Sequence, residues 1–213
     1  MRKFFRKQRT RGQKLRRDLL LLLLLAVLGW VLLDFPCFTR NQAFSALEDR
    51  NFYGNGQVLR TLEGNYGHQY RITRAGDCYA WEQVWPVLFS RILWQPGQME
   101  VISDDPEAPL VALPVDPDFL PGVVAVVSHD ASIVTVEVTY PALCRPGWPE
   151  GWQKVTISSA DCVNNCFLLR APEEEAAQLD HQAMDALSLT GYDAAGAVVW
   201  RSPQPDWSLY GWN

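Results

Sequence analysis

The chain has 213 residues, of which 48% are hydrophobic and 20% are charged. This balance is that of an ordinary globular protein, and it excludes wholesale disorder and collagen-like structure. Charge is unevenly distributed, because residues 1–18 contain nine Lys or Arg residues and one acidic residue. The remaining residues include ten basic and 23 acidic side chains, a net charge of −13. The protein therefore joins a basic N-terminal tail to an acidic body.

An apolar segment follows the basic tail. Leu19–Leu33 is an uninterrupted apolar run of 15 residues with an aspartate at each end. As a helix it would be about 22 Å long, shorter than a ~30 Å hydrocarbon core, and we expect flanking residues up to Phe38 to supply the remainder. We therefore predict a single-pass transmembrane anchor over residues 19–38. The positive-inside rule then makes residues 1–18 a cytoplasmic tail and puts the bulk of the chain outside the cell membrane.

A cleaved signal peptide is the alternative for this segment. The basic region and the apolar run fit it, but Asp34-Phe35-Pro36-Cys37 lacks small residues at the spacing that cleavage requires. The residues before Cys37 also differ from the small and aliphatic residues of a lipidation site. The basic tail could bind nucleic acid, but acidic lipid head groups are the simpler partner. We therefore expect contact with a lipid bilayer and none with nucleic acid.

Residues 39–56 predict a short juxtamembrane helix followed by a turn. Thr39 and Gln42 have the spacing of a capping box at a helix start. Phe44 and Leu47 supply an apolar stripe. The glycines of the Gly54-Asn55-Gly56 turn are typical of a helix stop rather than a phosphate loop.

Residues 57–213 predict about ten short strands separated by turn residues. Gln69–Arg74 and Cys78–Trp85 flank a Gly-Asp turn and have the pattern of a β-hairpin. Gln95-Pro96-Gly97 is predicted to be a turn between later strands.

The second half of this region shows the strand pattern more clearly. Val123–Ser128 is apolar on both faces, which predicts a strand buried on both sides, whereas Ile133–Tyr140 alternates as a half-buried strand does. Strand spacings of about 8–12 residues are typical of an antiparallel β-sandwich or a barrel-like domain. The Pro- and Gly-containing stretch at 117–122 could divide this β-rich extracytoplasmic domain into two sub-domains.

Two features resemble known proteins. The segment Gly191–Trp200, with the sequence GYDAAGAVVW, resembles the closing hairpin of immunoglobulin-like modules in bacterial envelope proteins. The order of basic tail, leucine-rich anchor, short helix with Gln42-Ala43-Phe44, and β strands resembles uncharacterised single-pass envelope proteins of Gram-positive bacteria. The resemblance implies a β-rich, immunoglobulin-like outer domain and transfers no catalytic residue.

Four cysteines of the outer domain are disulfide candidates, because disulfides persist outside the cytoplasm: Cys78, Cys144, Cys162 and Cys166. Four thiols allow three pairings, and the sequence does not choose among them. Cys37 is left over, and is either inert or able to cross-link a dimer at the membrane. The histidines show no zinc-ligand spacing to these cysteines, so we expect no metal site and no cofactor.

Aromatic residues supply the candidate ligand-binding positions. Tyr79, Trp81 and Trp85 point to one face of a strand and could stack on sugar rings or contact a protein. The alternative, which we favour, is that this stripe faces the core, because aromatic residues contribute much of a small core's buried area. Trp148 and Trp152 lie in or beside a turn-rich loop and are better candidates for exposure.

No motif names a reaction. Ser128-His129-Asp130 contains the residue types of a hydrolase triad, but neighbours in a chain point apart, and the run is typical of a turn. We therefore expect a membrane-anchored extracytoplasmic β module that acts as a binding or scaffold protein of the cell envelope, with an envelope protein or a wall glycan as partner. The alternative is a membrane-tethered hydrolase of wall or extracellular polymers. Its pocket would hold two carboxylates, or a cysteine beside His129 or His68.

Overall fold

The structure is a computed structural model. It describes residues 11–32, 36–87, 92–116, 120, 122–143, 152–171 and 186–211. Within these ranges the chain forms two α-helices and twelve β-strands. The strands make three antiparallel sheets of four strands each, which we name sheets A, B and C.

The sheets differ in how far apart in sequence their strands lie. Sheet A is a meander of four consecutive strands: β1 (Gln57–Glu63), β2 (Gln69–Ala75), β3 (Cys78–Pro86) and β4 (Trp94–Ser103). Sheet B has the order β5-β6-β10-β9: β5 (Leu110–Pro114), β6 (Val123–Ser128), β10 (Cys166–Arg170) and β9 (Cys162–Val163). Sheet C has the order β12-β11-β7-β8: β12 (Val198–Arg201), β11 (Ser188–Tyr192), β7 (Thr135–Leu143) and β8 (Trp152–Ser159).

Sheet B is the central layer of the molecule. Along β6, Val123, Ala125 and Val127 belong to the core shared with sheet A, whereas Val124 and Val126 belong to the core shared with sheet C. The prediction that this strand is buried on both faces is therefore confirmed. The expected two-layer sandwich or barrel is wrong, because the strands form three stacked sheets. A sheet that is apolar on both faces needs a cover on each side.

The helix α2 (Arg40–Arg50) forms a fourth layer on the outer face of sheet A. The predicted capping box is present. The backbone N–H of Gln42 donates to Thr39 Oγ1, and the backbone N–H of Thr39 donates to Gln42 Oε1, each at 3.2 Å. Phe44 packs with Val84 and Trp94 of sheet A. Helix and sheet therefore share a small apolar contact of their own.

The helix α1 (Arg11–Leu32) has no buried residue. Among the described residues, no helix has the length and apolar character needed to cross a membrane. The predicted transmembrane helix is therefore wrong for the residues that the structure describes, and positions 33–35 of the predicted 19–38 anchor lie outside them. The first two turns of α1 are rich in charged residues. The apolar part of α1, from Leu19 to its end, is about 21 Å long at 1.5 Å per residue, whereas a hydrocarbon core is about 30 Å thick.

The edge strand β4 runs through Gln95-Pro96-Gly97, so the predicted turn is wrong. Its register against β3 shifts between Glu82 and Val84, which puts two residues, Gly97 and Gln98, opposite the single residue Gln83. Pro and Gly are tolerated in strands at edges and bulges, where a ladder hydrogen bond is absent. The sequence signal for a turn here marks a bulge.

The stretch 117–122, at which the sequence suggested a sub-domain division, connects two neighbours in one sheet. The strands on either side of it, β5 and β6, pair antiparallel in sheet B. Positions 117–119 and 121 lie outside the described residues.

Candidate functional site

A groove of about 760 Å³ lies between the start of α2 and the connection from β1 to β2. We call it the aromatic groove. Three aromatic and three polar side chains characterise its lining: Phe38, Tyr66, Trp94, Arg40, Glu63 and Gln69. A smaller cavity of about 200 Å³ shares Arg40, Glu63 and Gln69 with it and extends it along α2.

Two aromatic rings at this groove face solvent. Tyr66 is 80% exposed and Phe38 is 61% exposed, whereas Trp94 is buried. Tyr66 also has a φ of +57°, in the left-handed region. That conformation costs a non-glycine residue about 1–2 kcal/mol, and a ring this exposed recovers little of it by packing.

The polar side chains of the groove are held in place by specific contacts. An Arg40 guanidinium nitrogen donates to Gln69 Oε1 at 2.9 Å. The same guanidinium lies 5.9 Å from the centre of the Trp94 ring. The groove therefore combines flat apolar faces with charged and amide groups on a helix and two strands, a combination suited to a ligand with both apolar and hydroxyl surfaces.

A second concave surface of about 450 Å³, the polar cleft, opens where sheets A and B meet at one end. Sheet A contributes Gln57, Arg74 and Tyr79, and the strand ends of sheet B contribute His129, Asn164 and Asn165.

The back of the polar cleft is a hydrogen-bonded cluster. Tyr79 Oη lies 2.9 Å from His129 Nε2, and Asp104 Oδ1 lies 3.2 Å from the same nitrogen. His129 Nδ1 lies 2.9 Å from the carbonyl oxygen of Ala108, which can only accept, so Nδ1 donates a proton to it. Burial, reinforced by Asp104, raises the pKa of Tyr79. Both ring nitrogens are thus engaged, and His129 ties sheet B to sheet A.

Two carboxyl groups meet where α2 packs on sheet A. Glu82 is 0% exposed and Glu48 is 5% exposed. Thr73 Oγ1 donates to Glu82 Oε1 at 2.6 Å, and no described residue is a hydrogen-bond partner of Glu82 Oε2. Burial raises the pKa of Glu82 to about 7; Glu48 adds to this rise, whereas Thr73 and Arg71 oppose it. The pair lines neither the aromatic groove nor the polar cleft.

A further buried acid, Asp116, follows β5 of sheet B and contacts sheet A. Asp116 accepts hydrogen bonds from Tyr70 Oη at 2.7 Å and from Gln83 Nε2 at 2.6 Å. Burial and the Asp116 carboxylate raise the pKa of Tyr70. Sequence reasoning missed this network, because its members are 13 to 46 residues apart.

The structure separates the aromatic residues that the sequence singled out. Tyr79 and Trp81 are buried in the core between sheets A and B. Trp85 is half-buried, donates to Gln95 Oε1 at 3.3 Å, and directly precedes Pro86, which lines the aromatic groove. Of this stripe, Tyr79 also lines the polar cleft, and Trp85 lies beside the aromatic groove.

The other two predicted aromatic positions are Trp152, which lies in sheet C, and Trp148. Trp152 is half-buried at the start of β8 and packs edge-to-face on Tyr210, with ring centres 4.8 Å apart. Trp148 lies outside the described residues. The turn predicted at Ser128-His129-Asp130 is confirmed, since Ser128 Oγ donates to the Asp130 carbonyl at 2.9 Å.

The cysteines described by the structure are free thiols: Cys37, Cys78, Cys162 and Cys166. Cys144 lies outside the described residues, and disulfide formation stays a prediction. In the described part of the chain, no three His, Cys, Asp or Glu side chains come together in a way that could hold a metal ion.

Comparison with known proteins places the residues of the groove and the cleft within one family match. No curated protein and no solved structure matches the chain. A family model described as Domain of unknown function (DUF5044) matches residues 36–210, which include α2 and every described strand. The chain therefore belongs to the DUF5044 family.

Proposed function

We propose that the chain is a non-enzymatic binding module of the cell envelope and that its aromatic groove binds a wall glycan. The observation that carries the proposal is the Tyr66 ring, which lines the groove and is 80% exposed. Sugar rings have flat apolar faces that stack on aromatic side chains. The neighbouring Arg40, Glu63 and Gln69 offer donors and acceptors for sugar hydroxyl groups.

The N-terminal region supports a place at a lipid bilayer in this proposal. Seven consecutive leucines, Leu19–Leu25, are exposed on α1 and offer apolar surface to lipid. The basic residues that precede them attract anionic head groups, each worth about 1 kcal/mol near a membrane surface. Together with the resemblance to envelope proteins, these features favour an extracytoplasmic position for the acidic β domain.

The proposal is tested by titrating the full chain, kept in a mild non-ionic detergent, with solubilised cell-wall glycan fragments. We expect saturable binding by isothermal titration calorimetry. Tyr66→Ala should weaken it at least tenfold, a loss of about 1.4 kcal/mol that is typical of an aromatic contact residue. Phe52→Ala is the matched control, because Phe52 is also exposed (96%) and left-handed (φ +55°) but does not line the groove.

Three outcomes would count against this reading. A titration without a binding signal, with folded protein, would exclude a wall glycan as the ligand and would favour an envelope protein as the partner. An equal loss of glycan affinity in Tyr66→Ala and Phe52→Ala would exclude the aromatic groove as the binding site. Release of new reducing ends from the glycan during incubation would favour the alternative, a hydrolase of wall polymers.

A further inference from the structure

The polar cleft presents an arginine in a body that is mostly acidic. Outside the basic tail the chain carries 23 acidic side chains against ten basic ones. Among the described residues, the lining of the cleft includes Arg74 and no carboxylate, and the Asp104 carboxylate lies behind this lining at the back of the cleft. An exposed arginine in such a lining favours a ligand that brings its own negative charge.

Arg74 is oriented for such a ligand. One of its guanidinium nitrogens donates to Asp104 Oδ2 at 3.1 Å, and its guanidinium carbon lies 5.4 Å from the centre of the Tyr79 ring. The Arg74 side chain is 45% exposed, whereas that of Asp104 is 5% exposed. Asp104 therefore holds the guanidinium from its buried side, and the Arg74 side chain stays exposed enough to line the cleft.

The opposite wall of the cleft supplies amide groups. Asn164 and Asn165 are the two residues between β9 and β10, and both have positive φ, +50° and +62°. Asparagine adopts this conformation more readily than most residues. Asn164 Nδ2 donates to the carbonyl oxygen of Leu59 at 2.9 Å, which fastens the turn to β1. Asn165 also lines the cleft. On the side of sheet A, Gln57 of β1 lines it next to Arg74, its partner in the register of β1 and β2.

We propose that the polar cleft binds an oxyanion group, a carboxylate or a phosphate carried on a small molecule or a polymer unit. Arg74 provides the charge, since its planar guanidinium matches the oxygens of both groups, and Asn165 and Gln57 provide neutral donors. The site is distinct from the aromatic groove, because the two share no lining residue. It goes beyond the proposed function and does not depend on it.

The ligand class is tested with the full chain in a non-ionic detergent, at constant ionic strength, by calorimetric titration with sodium phosphate, sodium glucuronate and glucose. We expect saturable binding of at least one of the two anions and none of glucose. Binding of phosphate alone or glucuronate alone supports the proposal and identifies the oxyanion. Binding of glucose as tight as that of glucuronate, or saturable binding of neither anion, overturns it.

The position of the site is tested by charge changes within the cleft. Arg74→Gln should weaken anion binding at least tenfold, and Arg170→Gln, an exposed arginine at the end of β10 outside the cleft, should leave it unchanged. Because Arg74→Gln leaves the buried Asp104 without its ion pair, Asn165→Asp serves as the second variant. Aspartate also tolerates positive φ, so the turn persists while a carboxylate enters the cleft and binding falls at least tenfold. Wild-type affinity in folded Asn165→Asp overturns the proposal.

Discussion

Glu82 carries a carboxyl group into a fully buried position of β3, against α2. Its pKa, ordinarily 4.5, is raised to about 7 in the folded protein, first by burial and then by Glu48. Between these values the folded state holds a proton that the unfolded chain releases. The corresponding stability is fully present below pH 4.5 and is lost as the pH rises through 7, a change on the order of 3 kcal/mol.

Glu82→Gln should remove most of this dependence, because a neutral amide replaces the carboxyl group at nearly the same volume. Urea unfolding at pH 5 and pH 8 measures it: we expect the wild type to lose stability between the two, and the variant to be more stable than the wild type at pH 8. The other titratable groups facing this site are Glu48, Arg71 and Tyr53, and they remain. Asp49→Asn, at an exposed position of α2, is the control. A Glu82→Gln profile as steep as the wild type would contradict this account.

Residue roles could be predicted only where they depend on local sequence. The capping box of Thr39 and Gln42 lies within four residues, and the structure contains it. By contrast, His129 acquires its partners Tyr79 and Asp104 from positions 50 and 25 residues away. Sequence assigned His129 correctly to a turn, but the contact that ties two sheets together depends on a packing that no local pattern encodes.

At the scale of elements, Gly97 decides the course of β4. A Cβ atom at this position would lie 2.5 Å from Cζ3 of Trp85 and 2.6 Å from the backbone oxygen of Gln83. The close approach, and not an unusual φ, requires glycine here. It also explains why a Pro-Gly pair, usually a turn signal, lies inside a strand: the bulge brings β4 against the Trp85 ring.

Gly97→Ala should therefore destabilise the fold by about 1–3 kcal/mol, the usual cost of forcing atoms into a packed site. Gln98→Ala, at the exposed neighbouring residue of the same bulge, is the matched control and should change stability by less than about 0.5 kcal/mol. Urea unfolding midpoints of both variants provide the measurement. Equal urea midpoints for Gly97→Ala and Gln98→Ala would contradict this account, because they would show that β4 can move away from Trp85 without a loss of stability.

At the scale of the whole molecule, the described residues after α1 form a stack of α2 and three sheets. The number of sheets could not be predicted from the number of strands. About ten short strands fit a sandwich, a barrel or three sheets equally well. What separates these is strand pairing, and β6 pairs with β10 across some 40 residues. Yet the two-sided apolar character of Val123–Ser128 was visible in the sequence, and it already required a layer on each side of that strand.

The central position of sheet B makes the two main cores interdependent. Phe167 on β10 is buried in the core between sheets B and C, while its neighbours Cys166 and Leu168 belong to the core between sheets A and B. Phe167→Ala should cost about 3–5 kcal/mol, because it removes a buried ring and leaves a cavity. Since one strand serves both cores, we expect this loss to reach sheet A, which Phe167 does not line.

Hydrogen exchange followed by mass spectrometry separates the two sheets. In Phe167→Ala, peptides from β2 in sheet A and from β7 in sheet C should lose protection by similar factors. Val199→Ala, at an exposed position of β12, should leave both unchanged. If β7 lost protection while β2 kept it, the A–B and B–C cores would open separately, and sheet B would belong to two independent units. Equal losses mean that the polar cleft, built across sheets A and B, also depends on packing on the far side of sheet B.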